Sequence, residues 1–264
     1  MTDFRRRPAA DRPADGPADP PAGSPAGSSD QALPLGTPVP GWSPPPRPAR
    51  AAIPGRRVRL EPADPARHAE ALHVANAEDP TGRMWAWLPY GPFEDAAAHR
   101  AWMAQACTGD DPLFFAVVDA GDDRALGIAS YLRITPEAGT IEIGHIAFSP
   151  ALQRTAAATE ALTLMIRCAF GLGYRRIEWK CNALNAPSRR AARRLGFSYE
   201  GVFRQAAVVK GRNRDTAWYA MIDSEAPALL AAYDRWLDPA NFDAAGRQRV
   251  RLSDLTAPIL VKVG

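Results

Sequence analysis

Cysteine and histidine are scarce in this chain. Its 264 residues hold three cysteines, Cys107, Cys168 and Cys181, and four histidines. None stands at a CxxC or Cys/His spacing that would suit a metal or a disulfide framework. The thiols sit in apolar or strand-like contexts and read as buried, free groups in a reducing compartment; no metal is expected. Long apolar runs are missing as well: none approaches the roughly 18 residues a membrane span needs, so no membrane partner is expected. The opening MTDFRRRPAADRP has arginines with no apolar stretch behind them, unlike a secretory leader, which points to the cytoplasm. Nor does one sign of charge dominate. With 32 Lys and Arg against 29 Asp and Glu, the net charge of +3 is too small to argue for nucleic acid.

Proline is plentiful but uneven, with 14 of the 26 in residues 1–54. Ala, Gly, Ser and Asp fill most of the rest. Such a segment buries too little apolar surface to offset its chain entropy, and residues 1–54 are expected to form a disordered or partly polyproline II tail. The PPPRP run, Pro44 to Pro48, leaves a docking role open beside a solubilising one.

From about Val58 the texture changes. RVRLEP alternates like an edge strand, and DPARHAEALHVAN reads as a helix opened by Asp64 with Pro65 at its first position. WAWLPYGPF is a loop, and EDAAAHRAWMAQAC a second helix. LFFAVVD, ALGIASYLRI and TIEIGHIAF read as strands, followed by a helix with Leu162, Met165, Ile166, Ala169 and Phe170 at helical spacing. Then come the strand RRIEWKCNAL, the helix PSRRAARRLG, strands near YEGVFRQAAVV and DTAWYAMID, and the helix SEAPALLAAYDRWL. Hairpin strands interrupted by helices imply one α+β domain over residues 55–238, with a mixed, mostly antiparallel sheet of about seven strands flanked by helices. Residues 239–264 show little periodicity and read as an extension wrapping the surface.

The stretch SPALQRTAAATE, residues 149–160, opens the central helix on three alanines. A helix start presents unpaired N–H groups and the positive end of its dipole, so it attracts an anion, and small side chains let a phosphate come close. Alanine is also simply the best helix former, so this stretch alone does not decide the matter.

Taken together, EIGHIAFSPALQRTAAATEAL and NAPSRRAARRLGF resemble the GNAT N-acetyltransferase superfamily, closest to the branch of ribosomal-protein N-terminal acetyltransferases (Rim type). The resemblance covers roughly residues 58–225. The family's acetyl-CoA motif, Gln/Arg-x-x-Gly-x-Gly/Ala, falls on Gln153, Ala156 and Ala158. The resemblance implies a GNAT fold that takes acetyl-CoA as co-substrate. Backbone N–H groups of Arg154, Thr155, Ala156, Ala157, Ala158 and Thr159 would hold its pyrophosphate, and the strand ending Ile146, Ala147, Phe148 would pair with the pantetheine arm. Asn185 and Ser188 match the family's Asn-x-x-Ser, near the thioester.

Two positions depart from the family. Ala192 stands where many relatives carry a tyrosine that protonates the leaving thiolate; Ser188 resembles the serine given that task in the Rim-type branch, or caps the helix beside Pro187. Ala207 stands where that branch has a glutamate. Because a neutral amine must lose a proton as it attacks, a base is required. Candidates are Glu142, on the strand before the cofactor helix, and His145, which strict alternation sends to the opposite face; either could instead be an ordinary strand or packing residue. Glu200 and Asp215 are further carboxylates, and Asp215 resembles a recurrent family aspartate that orients substrate or braces the sheet. Arg189, Arg190, Arg193 and Arg194 make a basic helix face, solvated or in part directed at the phosphates of CoA. The aromatic loop with Trp85, Trp87, Tyr90 and Phe93 resembles the branch's substrate-side loop and either walls an acceptor groove or fills core. The function implied is transfer of acetyl from acetyl-CoA to a primary amine, a protein N-terminal α-amine or a small-molecule amine, through a ternary complex. The alternative is a catalytically silent acyl-CoA-binding module; a homodimer and a monomer are both open.

Overall fold

The structure is a computed structural model that describes Leu33 and residues 35–264. Most of the proline-rich tail, residues 1–32 and Pro34, lies outside the described residues. Trp42–Gly264 forms one unit, so it begins earlier than the expected residue 55. The reason lies in side chains. Pro45 and Pro48 are buried, at the three-residue repeat of a polyproline II helix. Trp42 packs against Arg175, whose guanidinium carbon is 5.4 Å from the ring centroid, and Arg47 donates to the Ile134 carbonyl at 3.2 Å.

Eight strands form one sheet: β1 (Ile53–Pro54), β2 (Val58–Pro62), β3 (Leu113–Asp119), β4 (Ala125–Thr135), β5 (Thr140–Phe148), β6 (Arg176–Asn182), β7 (Ser198–Val209) and β8 (Arg212–Ile222), in the order β1-β2-β3-β4-β5-β6-β8-β7. The sheet is one strand larger than the sequence suggests, because the two-residue β1 is too short to show a period. Every neighbouring pair is antiparallel except β5 and β6. A parallel pair needs a crossover, here supplied by α3 (Ala156–Gly171).

Helices α1 (Pro65–Asn76) and α2 (Ala96–Ala106) contribute to one core cluster, and α3, α4 (Ala186–Leu195) and α5 (Ala226–Leu237) to the other. Strand β3 is buried on both sides: Leu113, Phe115 and Val117 join one cluster, Phe114, Ala116 and Val118 the other, as the two-residue period of a strand dictates. α1 starts as its sequence specifies, with Asp64 accepting from the Ala66 and Arg67 N–H groups. α3 runs under the sheet with Met165, Ile166 and Ala169 fully buried. Its buried Glu160 accepts from the Arg56 and Arg57 N–H groups at 2.9 and 2.7 Å and so fastens the start of the sheet to the central helix. α4 ends at Gly196, whose φ of 97° is a left-handed cap; a Cβ there would clash with Leu229 of α5.

The C-terminal extension does more than wrap the surface. Helix α6 (Leu252–Thr256) buries Leu252 and Thr256 completely, and Thr256 donates to the Arg194 carbonyl. Its apolar content is confined to about one helical turn, too short for periodicity to reveal. Among the described residues no helix is long and apolar enough to cross a membrane, and the three cysteines are free.

Candidate active site

β5 and β6 pair only from Thr140–Arg176 to Glu142–Glu178. Beyond that, β5 continues to Phe148 and β6 to Asn182 without pairing, so the sheet splits. A cleft of about 1720 Å³ opens in the split, lined by Glu142 through Phe148 on one side and Trp179 through Asn182 on the other. It reaches the start of α3 at one end and the β7–β8 hairpin at the other.

At the α3 end, Arg154 takes a left-handed φ of 64°, and the loop is closed by Gln153 Nε2 donating to the Phe148 carbonyl at 2.7 Å. Thr155 is the N-cap, accepting from the Ala158 N–H at 3.0 Å through its hydroxyl and from the Thr159 N–H at 3.4 Å through its carbonyl. Three of the six N–H groups expected to form the cradle are therefore engaged within the protein, that of Thr155 with the Leu152 carbonyl at 3.4 Å. Those of Arg154, Ala156 and Ala157 have no acceptor among the described residues. Ala156 and Ala158 line the cleft and Ala157 does not. Arg194 also lines it, donating to Thr159 Oγ1 at 3.0 Å and lying 4.9 Å from the Trp236 ring centroid. Of the four helix arginines it alone does so: Arg189 is turned to the Tyr219 hydroxyl and Arg193 to the Gly264 carbonyl.

Midway, α4 begins. Asn185 is its N-cap, accepting from the Ser188 N–H at 3.1 Å, so Ser188 is not the cap. The Ser188 hydroxyl oxygen accepts from Trp179 Nε1 at 2.9 Å. An indole N–H can only donate, so the hydroxyl proton points elsewhere, towards the neighbouring Cys181 sulfur. Burial pushes the neighbouring Cys181 thiol up, partly offset by a hydrogen bond with Ser188. Ala192, where relatives carry tyrosine, is wholly buried in the core.

Glu142 is buried in the cleft between two cations, accepting from Arg133 Nη1 at 2.7 Å and Lys180 Nζ at 3.0 Å. Lys180 also meets Glu178 at 2.6 Å and lies 3.8 Å from the Trp218 ring centroid. Burial raises the Glu142 pKa, with Lys180 and Arg133 working against the rise. His145 does not alternate away from Glu142. A bulge sets Gly144 opposite Ser130 and Ala147 opposite Ile128, leaving two β5 residues against one, and His145 sits in it at a φ of 50°. The extra residue turns His145 to the same side as Glu142, stacked on Tyr90 at 5.8 Å and tilted against Phe114 at 5.1 Å. Burial, with Arg133 and Arg214 nearby, lowers its pKa to about 4.

The aromatic loop divides. Trp87 lines the cleft. Trp85, Tyr90 and Phe93 instead pack with His99 and Trp102 into the α1–α2 cluster. Asp215 also lies outside the cleft, in a shallow depression of the β7–β8 hairpin. It accepts from the Gln205 N–H at 2.7 Å and Asn213 Nδ2 at 2.9 Å, bracing a bulge rather than facing the site. Glu200 forms a two-pronged ion pair with Arg176, away from the cleft. Sequence reasoning missed Arg133, Lys180, Arg214 and Trp218. A lysine inside IEWKCN, a strand otherwise alternating with apolar residues, was the one available signal for Lys180.

Comparison with known proteins fits this geometry. A family profile described as an acetyltransferase (GNAT) domain matches residues 57–198. The chain is similar to the crystal structure of a GCN5-related N-acetyltransferase from Brucella melitensis, with 46% identity and a TM-score of 0.81 over 83% of this chain and 100% of that one. A probable acetyltransferase (GNAT family) from Chromobacterium violaceum is likewise 46% identical, with a TM-score of 0.69 over 74% of this chain and 98% of that one. Uncharacterized N-acetyltransferase YnaD of Bacillus subtilis is 28% identical over 142 residues, 53% of this chain and 80% of that protein.

Proposed function

The chain belongs to the GNAT acetyltransferase family, and on that premise we propose that it transfers acetyl from acetyl-CoA to a primary amine by direct attack in a ternary complex. The observation that carries the reading is the split between β5 and β6, with unpaired N–H groups at the α3 end and the Ser188 hydroxyl lining the cleft midway. The cradle N–H groups of Arg154, Ala156 and Ala157 bind the pyrophosphate, and the unpaired edge of β5 at Ile146, Ala147 and Phe148 holds the pantetheine arm as an added strand would. The amine nitrogen forms its bond to the thioester carbon and the C–S bond breaks. Glu142, directly or through a water, takes the proton the nitrogen must lose, Ser188 gives one to the departing thiolate, and solvent carries the proton on Glu142 back to the Ser188 oxygen.

Burial raises the Glu142 pKa, which makes its carboxylate a better proton acceptor than an exposed one. His145, with a pKa near 4, is neutral at pH 7 but a weak base, so it shapes the wall. A free α-amine, with a pKa near ~8, is more often neutral at pH 7 than a lysine near ~10.4, which favours α-amines as acceptors. The buried Ala192 and the missing carboxylate at Ala207 favour a second reading, a module that binds acyl-CoA without catalysis. Thiol release from acetyl-CoA across a panel of amines and peptide N-termini separates the two. Acceptor-dependent release with an acetylated product identified by mass spectrometry supports transfer; tight acetyl-CoA binding with no acceptor-dependent release supports the silent module.

A further inference from the structure

Four cations line the cleft around its hairpin and midway parts, and their surroundings differ. Arg133 and Lys180 share Glu142, and Arg83 is exposed at the rim. Arg214 alone combines burial with the lack of a partner: its Nε is buried without a hydrogen-bond acceptor, and it enters no ion pair among the described residues.

Its place in the sheet explains the vacancy opposite it. On β8, Thr216 stands across from Asn182 at the end of β6, so Arg214 lies two residues beyond that end, on the same face as Thr216 and Trp218, where the cleft is open. Its cross-strand partner on β7 is Ala207, a residue with nothing to accept a hydrogen bond. A cross-strand neighbour at that position is close enough to pair with Arg214 had it carried a carboxylate. A partly desolvated guanidinium without a counter-charge is unfavourable unless a ligand supplies one, and a planar guanidinium fits a carboxylate through two parallel hydrogen bonds. The phosphates of the cofactor belong at the α3 end, so the missing anion belongs to the other substrate. The imidazole of His145 feels the Arg214 charge, which places that charge beside the groups where acetyl transfer is proposed.

We propose that Arg214 recognises the acceptor, and that the acceptor is an amine carrying a carboxylate close to the reacting nitrogen. This rests on the acetyl-transfer reading above. The carboxylate is that of a free amino acid or of an acidic residue next to a peptide N-terminus.

Two matched pairs of probes distinguish these sources: L-phenylalanine with L-phenylalaninamide, and the peptide amides Ser-Asp-Gly and Ser-Asn-Gly. Within each pair the charge is present or absent. Comparing each ratio between the wild type and a variant cancels the different reactivities of the amines. Arg214→Gln is expected to lower kcat/KM about 10- to 100-fold for the charged member of at least one pair. The loss should fall mainly on KM, the uncharged member should change little, and Arg214→Lys should recover part of it. Ala207→Glu, which places a carboxylate opposite Arg214, is expected to erase the same preference with the arginine intact. Equal loss for both members of each pair, or no charge preference in the wild type, overturns the proposal.

Calorimetric binding of N-acetyl-phenylalanine and of acetylated Ser-Asp-Gly amide to the CoA-loaded protein supplies a readout independent of turnover. Binding that Arg214→Gln abolishes, with no thiol release from any amine, keeps the anion site and overturns acetyl transfer. Absence of binding for both carboxylate products overturns the anion site, whatever the turnover.

Discussion

The two ends of the cleft are made of different materials. At the α3 end the polar groups on offer are backbone N–H groups of Arg154, Ala156 and Ala157, left without acceptors beside small side chains and a capped helix start. At the hairpin end they are side chains, Glu142, Lys180, Arg133 and Arg214, placed by strands that bulge or diverge. The backbone end depends on local geometry that a short motif encodes. The side-chain end depends on register between strands far apart in sequence. That difference teaches why a short motif announces one end while the other appears only in the fold.

The largest expected effect is at the side-chain end. If Glu142 accepts the amine proton, Glu142→Gln should cut turnover by roughly 10²–10⁴-fold while leaving acetyl-CoA affinity unchanged. Because the base serves only to remove a proton, the loss should shrink as pH rises and free amine accumulates, which a pH–rate profile of both proteins measures. The same loss at every pH would make Glu142 a positioning group, and the comparison would lose its chemical half.

Ser188→Ala comes next, sitting between the two ends. It should lower turnover about tenfold or more, with cofactor affinity nearly intact. Because Asn185 and not Ser188 caps α4, the stability cost should be limited to the orphaned Trp179 Nε1 donor, about 1–3 kcal/mol. A stability loss with unchanged turnover would return Ser188 to a structural role.

At the backbone end, Ala156→Pro removes one N–H without breaking the helix, since proline suits the first helical position and Thr155 is already extended at φ −98°, ψ 165°. Acetyl-CoA affinity should fall about tenfold, the worth of one hydrogen bond to a charged group, with the fold retained. Unchanged affinity by calorimetry would move the anion away from this turn.

The smallest effect lies outside the cleft and serves as a control on it. His99 is buried, stacked on Phe93 at 4.4 Å, with neither ring nitrogen hydrogen-bonded, and burial, with His73 adding, lowers its pKa to about 4. A histidine whose folded pKa is depressed contributes stability that is full above about 6.5 and is lost as pH falls towards 4. His99→Phe should soften the drop in melting temperature across that window and should not alter turnover at pH 7. Melting curves from pH 7 to 4 check both statements.

What the sequence made legible follows the same division. Helix starts at Asp64 and Thr155 and the hairpin strands are readable because each depends on a few consecutive residues. The burial of Pro45 and Pro48 was hidden because composition describes a segment without its neighbours. His145 was assigned to the wrong face because a bulge of one residue cannot be seen in an alternating pattern. Trp85, Tyr90 and Phe93 looked like a groove wall, since an aromatic loop carries no mark of which rings turn inward. Arg214 was invisible for the opposite reason: its significance is the empty place across from it at Ala207.

The divergence of β5 from β6 has one more consequence, for solubility. A strand with unpaired amides on an outer rim is a template on which other chains can stack, and proteins go to lengths to blunt such rims. Here two such rims face one another inside the molecule, joined at one end by the three pairings from Thr140 to Glu142. Residues of helices α3 and α4 line the opening between them, so both rims lie within a cleft of the fold. The hazard that would promote clumping on the exterior is turned inward, where the two rims shield one another.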